Sequence, residues 1–195
     1  MTLEMISTKK FDAMRKELDE FDHQREKIIE QSRDIIKVSK LAIYAVQRDA
    51  LHEASKHITR LKKLVSVLPL EHFDTGIATT ARQEYVEALT FYYFMKESKL
   101  IYADELGVTT YEYLLGLCDL SGELMRKAIN CVIKNKIDDA VRIRDFVDEL
   151  YHYFLKFNLR NGELRKKSDQ IKWNLEKLEN VLYDLTVSRR LNSEG

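Results

Sequence analysis

Four acidic residues lie in strongly apolar parts of the sequence, where charged side chains are out of place. Glu84 and Glu87 are three residues apart in ARQEYVEALTFYYF, and Asp119 and Glu123 are four residues apart in YLLGLCDLSGELM. On a helix, either spacing places both members of a pair on one face. Burying several ionised carboxylates together is unfavourable unless they are protonated, paired with a cation or bound to a shared metal ion. These four residues are therefore the candidate functional site.

Carboxylates from two helices supply hard oxygen ligands, which suit Mg²⁺, with Mn²⁺ as a substitute. A metal ion held in this way can bind phosphate oxygens and activate water for phosphodiester cleavage. The alternative is an ordinary set of surface ion pairs, in which Arg126, three residues after Glu123, is a ready partner. The spacing alone leaves both interpretations open.

Two other metal-dependent classes match the sequence less well. Ferritin-like di-iron proteins use Glu-x-x-His on two helices, and two such strings occur here, Glu20 to His23 and Glu149 to His152. Both lie on charged stretches that are expected to face solvent. The all-helical nucleotide pyrophosphatases resemble ExxE followed by ExxD, whereas the second pair here has the spacing DxxxE.

The composition predicts an all-α protein without a general affinity for nucleic acid. Only six glycines and one proline occur in 195 residues, which favours long helices over sheets and their turns. Lysine plus arginine equals aspartate plus glutamate, 32 each, so a surface that binds RNA must segregate its positive charge. Cys118 and Cys131 form no CxxC motif and are expected to be free thiols in a reducing compartment. With no apolar signal core and no run long enough to span a bilayer, the expected location is the cytoplasm, away from membranes.

The first segment is predicted to form one long helix. Its apolar residues recur at alternating spacings of three and four from Phe11 to Val46, which is a heptad pattern. Arg25, Ser32 and Ser39 interrupt the apolar seam at intervals of seven. Either the second half of this helix faces a less apolar neighbour, or these residues line a polar cavity.

The rest of the chain is predicted to complete a bundle of about six to seven helices in one domain, residues 1–195, with fraying after Arg190. Further helices are expected over Leu51–Val67, about Glu71–Tyr102, Ala140–Phe157 and Leu164–Leu185. Between the second and third of these ranges, another helix is expected to begin at a cap formed by Thr109 or Thr110 and to end at about Lys134.

Several blocks of the sequence resemble the translin family, and its Trax-like branch in particular. They are QSRDIIKVSK, IATTARQEYVEALTF, VTTYEYLLGLCDLSGELMRKAINCV and LRKKSDQIKWNLEKLENVLYDLTVSRR, in family order, and together they extend from about Leu18 to Arg190. The resemblance implies a bundle of about seven helices. It also implies assembly into a hollow shell of eight subunits that holds RNA inside, which would reconcile RNA binding with zero net charge.

The resemblance further implies a magnesium-dependent endoribonuclease, because the catalytic carboxylates of the Trax-like branch fall on Glu84, Glu87, Asp119 and Glu123. One of them is expected to act as general base, with Glu123 the candidate, although the sequence does not select it. Compared with eukaryotic Trax, the chain lacks a long N-terminal extension and an insertion before the fourth predicted helix. This is typical of a prokaryotic or archaeal homologue that forms a homo-oligomer.

Positive side chains must position the RNA backbone, and Arg33, Lys40 and Arg126 are the candidates. The substrate is expected to be single-stranded or duplex RNA, with single-stranded DNA as a further ligand. Nothing in the sequence resembles a major-groove reader or an aromatic RNA platform, so weak sequence preference is expected. The alternative functions are a non-catalytic, translin-like oligomer that binds RNA or single-stranded DNA, and a helical scaffold.

Overall fold

The computed structural model describes residues 7–69 and 75–193 of the chain. Within these residues there are seven α-helices and no strand, which confirms the all-α prediction. The helices are α1 (Thr8–Gln47), α2 (Leu51–Ser66), α3 (Ile77–Glu97), α4 (Ala103–Leu106), α5 (Thr110–Ile133), α6 (Ile137–Phe154) and α7 (Glu163–Ser193).

Four of the helices form a row in the order α1, α3, α5, α7. Each packs against the next, while α2 packs against α1 and α3, and α6 packs against α5 and α7. A shared core of buried apolar side chains joins them, with Ile35, Phe91, Leu115, Ile143 and Ile171 fully shielded from solvent. The two central helices of the row, α3 and α5, carry the four acidic residues.

The predicted long N-terminal helix is confirmed, and it has two different halves. Residues 8–24 are exposed throughout, including the seam residues Phe11, Met14 and Leu18, whereas the core-facing part of the helix begins at Ile28. The first half of the heptad seam therefore lies on an extension that the rest of the chain does not bury.

The polar breaks in the seam do not line a polar cavity, so that interpretation is wrong for them. Ser32 and Ser39 are fully buried, and their hydroxyl groups have no hydrogen-bond partner within residues 7–69 and 75–193. Arg25 is half-buried and forms a pair with Glu26, its neighbour in the chain. The two serines lie inside the bundle, where their small side chains allow close packing of α1.

The third helix is shorter than predicted at its C-terminal end. It ends at Glu97 because Ser98 adopts the left-handed conformation (φ 52°) and donates its backbone N–H to the carbonyl of Phe94. The predicted start near Glu71 lies outside the described residues. At the other end of the chain, α7 continues to Ser193, three residues beyond the expected point of fraying.

The predicted cap of α5 is confirmed at Thr109. Its hydroxyl accepts a hydrogen bond from the backbone N–H of Glu112, and the Glu112 carboxylate accepts one from the backbone N–H of Thr109. Glu112 also forms a buried ion pair with Arg82 of α3, at 3.2 Å. This pair fixes the start of α5 against α3 and so sets the relative position of the two acidic helices.

Gly116 allows α3 and α5 to approach each other closely. A Cβ atom at this position would lie 2.6 Å from Cβ of Val86 and 2.9 Å from the backbone oxygen of Gln83. Neither atom is the end of a flexible side chain, so a larger residue would have to push the two helices apart.

The Gly116→Ala change is therefore expected to lower the free energy of unfolding by about 1–3 kcal/mol, although alanine is the better helix former. Gly122→Ala is the matched control on the same helix, since its Cβ would meet no atom closer than 3.8 Å. It is expected to raise stability by about 0.5–1 kcal/mol. Urea denaturation at one protein concentration measures both, and equal stabilisation by the two changes would contradict the close approach at Gly116.

Candidate metal and nucleic-acid site

The four acidic residues line a single cavity of about 830 Å³. Glu84 and Glu87 enter it from α3, and Asp119 and Glu123 enter it from α5, so the central pair of helices forms its floor. The outer helices α1 and α7 form its walls. The other lining residues are Lys40, Ile43, Tyr44, Thr80, Gln83, Cys118, Gly122, Arg126, Glu163, Lys167, Gln170, Trp173 and Asn174.

Glu87 is the most deeply placed of the four carboxylates, with 8% of its surface exposed. Burial, together with the nearby carboxylates Asp119, Glu84 and Glu123, raises its pKa to about 9, against a smaller opposing effect of Lys167. Among the described residues, no side chain forms a hydrogen bond or ion pair with the Glu87 carboxylate. At neutral pH and without a metal ion, Glu87 is therefore a protonated acid.

Glu84 lies nearer the opening of the cavity, toward α1. Burial raises its pKa above the usual value, and Lys40 opposes this shift from 3.8 Å. Lys40 itself is largely exposed. This pair is long for a salt bridge and well solvated on one side, so it is expected to contribute little to stability.

Asp119 has the tightest set of partners. Lys167 of α7 donates to both of its carboxylate oxygens, at 2.9 and 2.8 Å, and Gln83 of α3 donates to one of them. Hydrogen bonds between ionised groups are among the stronger ones in proteins. Asp119 thus connects three helices of the row.

Glu123 is held through one of its two carboxylate oxygens. Gln47, at the end of α1, donates to Oε2 at 2.7 Å and to the Glu123 backbone carbonyl at 2.8 Å. Arg126 lies 3.7 Å from the same Oε2. No hydrogen bond to Oε1 of Glu123 is formed by the described part of the chain, so this oxygen is available to a water molecule or a metal ion.

The end of α1 that carries Gln47 is itself anchored to α5. The buried amino group of Lys127 donates to the backbone carbonyls of Val46 and Gln47, at 2.9 and 3.1 Å, and to Asp49 at 2.6 Å. Lysine at a helix C-terminus satisfies carbonyls that have no partner within the helix. The anchor fixes the position from which Gln47 reaches Glu123.

Two of the three predicted RNA-binding residues are brought together, and the third is not. Lys40 and Arg126 line the cavity, whereas Arg33 is exposed on α1 and does not line it. Three donors to the carboxylates were not predicted from the sequence, namely Gln47, Gln83 and Lys167. Lys167 lies in the LRKKSDQ block that resembles the family, but nothing in that block marks it as a partner of Asp119.

The four carboxylates fit Mg²⁺ or Mn²⁺ by the type and number of their oxygen atoms. Glu87 is the clearest sign, because it is a buried carboxylate with no partner among the described side chains and a divalent cation would favour its ionised form. As the side chains stand, however, no three Asp, Glu, His or Cys residues within the described ranges are grouped closely enough to hold one ion. Three of the carboxylates form hydrogen bonds or ion pairs with a lysine, arginine or glutamine, namely those of Asp119, Glu84 and Glu123. Metal binding would therefore require these side chains to turn toward one another.

The two Glu-x-x-His strings lie elsewhere. Glu20 and His23 are exposed on the extension of α1, and Glu149 and His152 are exposed on α6. None of the four lines the cavity. They therefore do not form a di-iron site of the ferritin type within one chain.

Both cysteines are free and buried, as the sequence predicted. Cys118 lines the cavity, where burial raises the pKa of its thiol to about 12. The thiol thus stays protonated and is a poor ligand for a hard metal ion. Of the helices in the described residues, none is long and apolar enough to cross a membrane.

Comparison with known proteins gives consistent matches. The Translin family model matches residues 23–189. Translin-associated protein X of Pongo abelii is 30% identical, over 91% of this chain and 77% of that protein. An uncharacterised protein of Methanocaldococcus jannaschii is also 30% identical, over 80% of this chain and 73% of its own length.

Solved structures agree with these matches. The crystal structure of apo-NeC3PO superimposes with a TM-score of 0.83 at 30% identity, covering 90% of this chain and 96% of that one. A structure described as an AfC3PO–duplex RNA complex gives the same TM-score at 24% identity, covering 92% and 98%, and at that identity it shows a shared fold.

Proposed function

This chain belongs to the translin family, and from that membership we propose that it is a metal-dependent endoribonuclease of the Trax type. The main support for the proposal is the convergence of four carboxylates on one cavity, where the most buried of them has no partner in the part of the chain that the structure describes. A site that served only to stabilise the fold would pair this carboxylate or replace it with an apolar residue.

The four carboxylates would hold the metal ion, Mg²⁺ or in its place Mn²⁺. When bound, such an ion supplies charge stabilisation at the scissile phosphate and a water molecule of lowered pKa. Glu87 is the ligand that gains most from the ion, because burial and like charge oppose its ionisation otherwise.

Glu123 is the general base in this proposal. Its Oε2 is held by Gln47 and Arg126, which orients the carboxylate and leaves Oε1 to accept a proton from water. Asp119 is less suited to that role, since both of its oxygens accept hydrogen bonds from Lys167.

The cations of the cavity would bind the RNA backbone. Lys40, Arg126 and Lys167 all line it, and the two lysines each lie beside a carboxylate that would turn toward a bound metal ion. Once released, these side chains can bind phosphate oxygens, so that binding is expected to weaken as salt rises.

The active form is proposed to be a homo-oligomer in the cytoplasm, with eight subunits by family likeness. The exposed apolar seam on the extension of α1, including Phe11, Met14 and Leu18, is suited to contact with another copy of the chain.

The second candidate is a non-catalytic oligomer that binds RNA or single-stranded DNA. The observation in its favour is the ion pair of Asp119 with Lys167, which occupies a carboxylate that the metal ion would need. Metal-dependent cleavage separates the two candidates, and a scaffold would bind no RNA at all.

The test is cleavage of an end-labelled single-stranded RNA with Mg²⁺ and with EDTA, alongside binding measured in EDTA. The expected result is cleavage that requires Mg²⁺ and RNA binding that does not. Binding without cleavage in Mg²⁺ or Mn²⁺ would move the chain to the second candidate, and absence of both would exclude the proposal.

A further inference from the structure

Two aromatic side chains line the acidic cavity and remain largely open to solvent. Tyr44 of α1 is 52% exposed and Trp173 of α7 is 65% exposed. Because α1 and α7 are the outer helices of the row, the two rings lie on opposite walls, with the carboxylates on the floor between them. A single exposed ring is ordinary, but two rings that line the same cavity offer apolar faces to a ligand bound there.

Each ring is accompanied by a cation. The guanidinium of Arg48 lies 4.6 Å from the centre of the Tyr44 ring, and the amino group of Lys172 lies 5.8 Å from that of Trp173. Both cations also form exposed ion pairs, with Glu53 and Glu176 respectively. Exposed pairs of this kind are weak and leave the cations able to bind a phosphate.

Resting on the proposed function, we propose that Tyr44 and Trp173 are base-stacking residues that hold the nucleotides on either side of the scissile phosphate of a single-stranded RNA. Unpaired bases stack on aromatic side chains independently of sequence, while adjacent cations bind the backbone. The cavity has the two rings at its walls and the carboxylates at its floor, and Arg48 and Lys172 lie beside the rings.

A single-stranded substrate follows from this arrangement. In a duplex, the bases are stacked on their neighbours and paired, so their faces are not available to rings inside a cavity. The sequence predicted no aromatic platform, because Tyr44 and Trp173 are 129 positions apart and come together only through the packing of α1, α3, α5 and α7.

Trp173 is the only tryptophan of the chain, so its fluorescence reports stacking directly. The experiment titrates the full-length protein with a short single-stranded RNA, the same RNA carrying abasic positions, and a blunt duplex, all in EDTA so that no cleavage is needed. The anisotropy of a label on each RNA measures binding in parallel. The single strand is expected to quench the emission, whereas the abasic strand and the duplex bind without comparable quenching.

Variants complete the test. Trp173→Leu and Tyr44→Leu are each expected to weaken binding of the single strand roughly ten-fold, with a much smaller effect on the abasic strand. Trp173→Phe is expected to restore most of the affinity. Tyr183→Leu is the matched control, because Tyr183 is 69% exposed on the same helix and does not line the cavity.

Equal quenching by the normal and abasic strands, or RNA bound without quenching, would overturn the stacking proposal. So would Trp173→Leu changing the size of the oligomer while leaving RNA affinity intact, since the ring would then serve a subunit contact. Quenching with no cleavage in Mg²⁺ would support the stacking proposal and contradict the proposed nuclease activity. A protein that binds no RNA would contradict both proposals.

Discussion

RNA cleavage by the Glu123→Gln protein is expected to be roughly 10²–10⁴-fold slower than by the wild type, which is the usual contribution of a general base. The amide keeps the size of the side chain and an oxygen that can accept the hydrogen bond from Gln47, so the local packing is preserved. It lacks the negative charge needed to remove a proton from water. The measurement is the single-turnover rate at saturating protein and Mg²⁺.

The matched control for this change is Glu179→Gln on α7, where the glutamate is exposed and does not line the cavity. The control is expected to cleave at the wild-type rate, and Glu123→Gln is expected to keep its affinity for RNA in EDTA. Cleavage by Glu123→Gln at a rate within a few-fold of the wild type would assign the base to another residue. Glu84 would be the next candidate, because only one of its oxygens is paired, with Lys40.

The Glu87→Gln protein is expected to be both more stable without metal and inactive with it. The pKa of Glu87 is about 9 in the folded protein, against an ordinary value of 4.5, so the folded state holds one proton more than the unfolded chain between these values. The free energy of unfolding therefore falls as pH rises from about 4.5 to about 9. Burial is the largest cause of the raised pKa, and the charged groups that face Glu87 are Asp119, Glu84, Glu123 and Lys167.

Glutamine removes this titration, so the variant is expected to be more stable than the wild type by roughly 2–4 kcal/mol at pH 8, with little difference near pH 4.5. Urea denaturation in EDTA across this pH range is the measurement. Cleavage is expected to be lost, because a neutral amide is a poor ligand for a hard divalent cation. Such opposite effects on stability and activity are typical of functional sites.

Glu97→Gln serves as control, since Glu97 is exposed on the same helix. It is expected to change neither the pH dependence of stability nor cleavage. A Glu87→Gln protein that is less stable than the wild type at pH 8, or equally active, would contradict the role assigned to Glu87.

The acidic site could be located from the sequence because its signal is local. Glu84 and Glu87 interrupt an apolar stripe of one helix, and Asp119 and Glu123 share a face of another, so helical periodicity is enough to single them out. Their meeting in one cavity needs the packing of α3 on α5, which the family resemblance implied and local periodicity does not determine. A glycine inside a helix is a weak sequence signal of close packing. At Gly116 the structural reason for the glycine is the close approach of Val86.

The hydrogen-bond partners of the carboxylates could not be predicted from the sequence. Gln47 reaches Glu123 across 76 positions, and Lys167 reaches Asp119 across 48, so neither contact follows from spacing on one helix. The role of Ser32 and Ser39 also could not be predicted, because a polar residue on an apolar seam resembles a cavity-lining residue until its burial is known. The early end of α3 depends on the left-handed backbone of Ser98, for which serine gives no strong signal.

Calorimetric titration of the EDTA-treated protein with Mn²⁺ measures whether the four carboxylates form a site for a divalent cation. In buffers of different ionisation enthalpy, the wild type is expected to bind Mn²⁺ with release of a proton from Glu87, and more tightly at pH 7.5 than at pH 6.5. Glu87→Gln is expected to bind at least roughly ten-fold more weakly, without that proton. Equal affinity and no proton release in the two proteins would show that Glu87 is not a ligand and would contradict the metal site at this cavity.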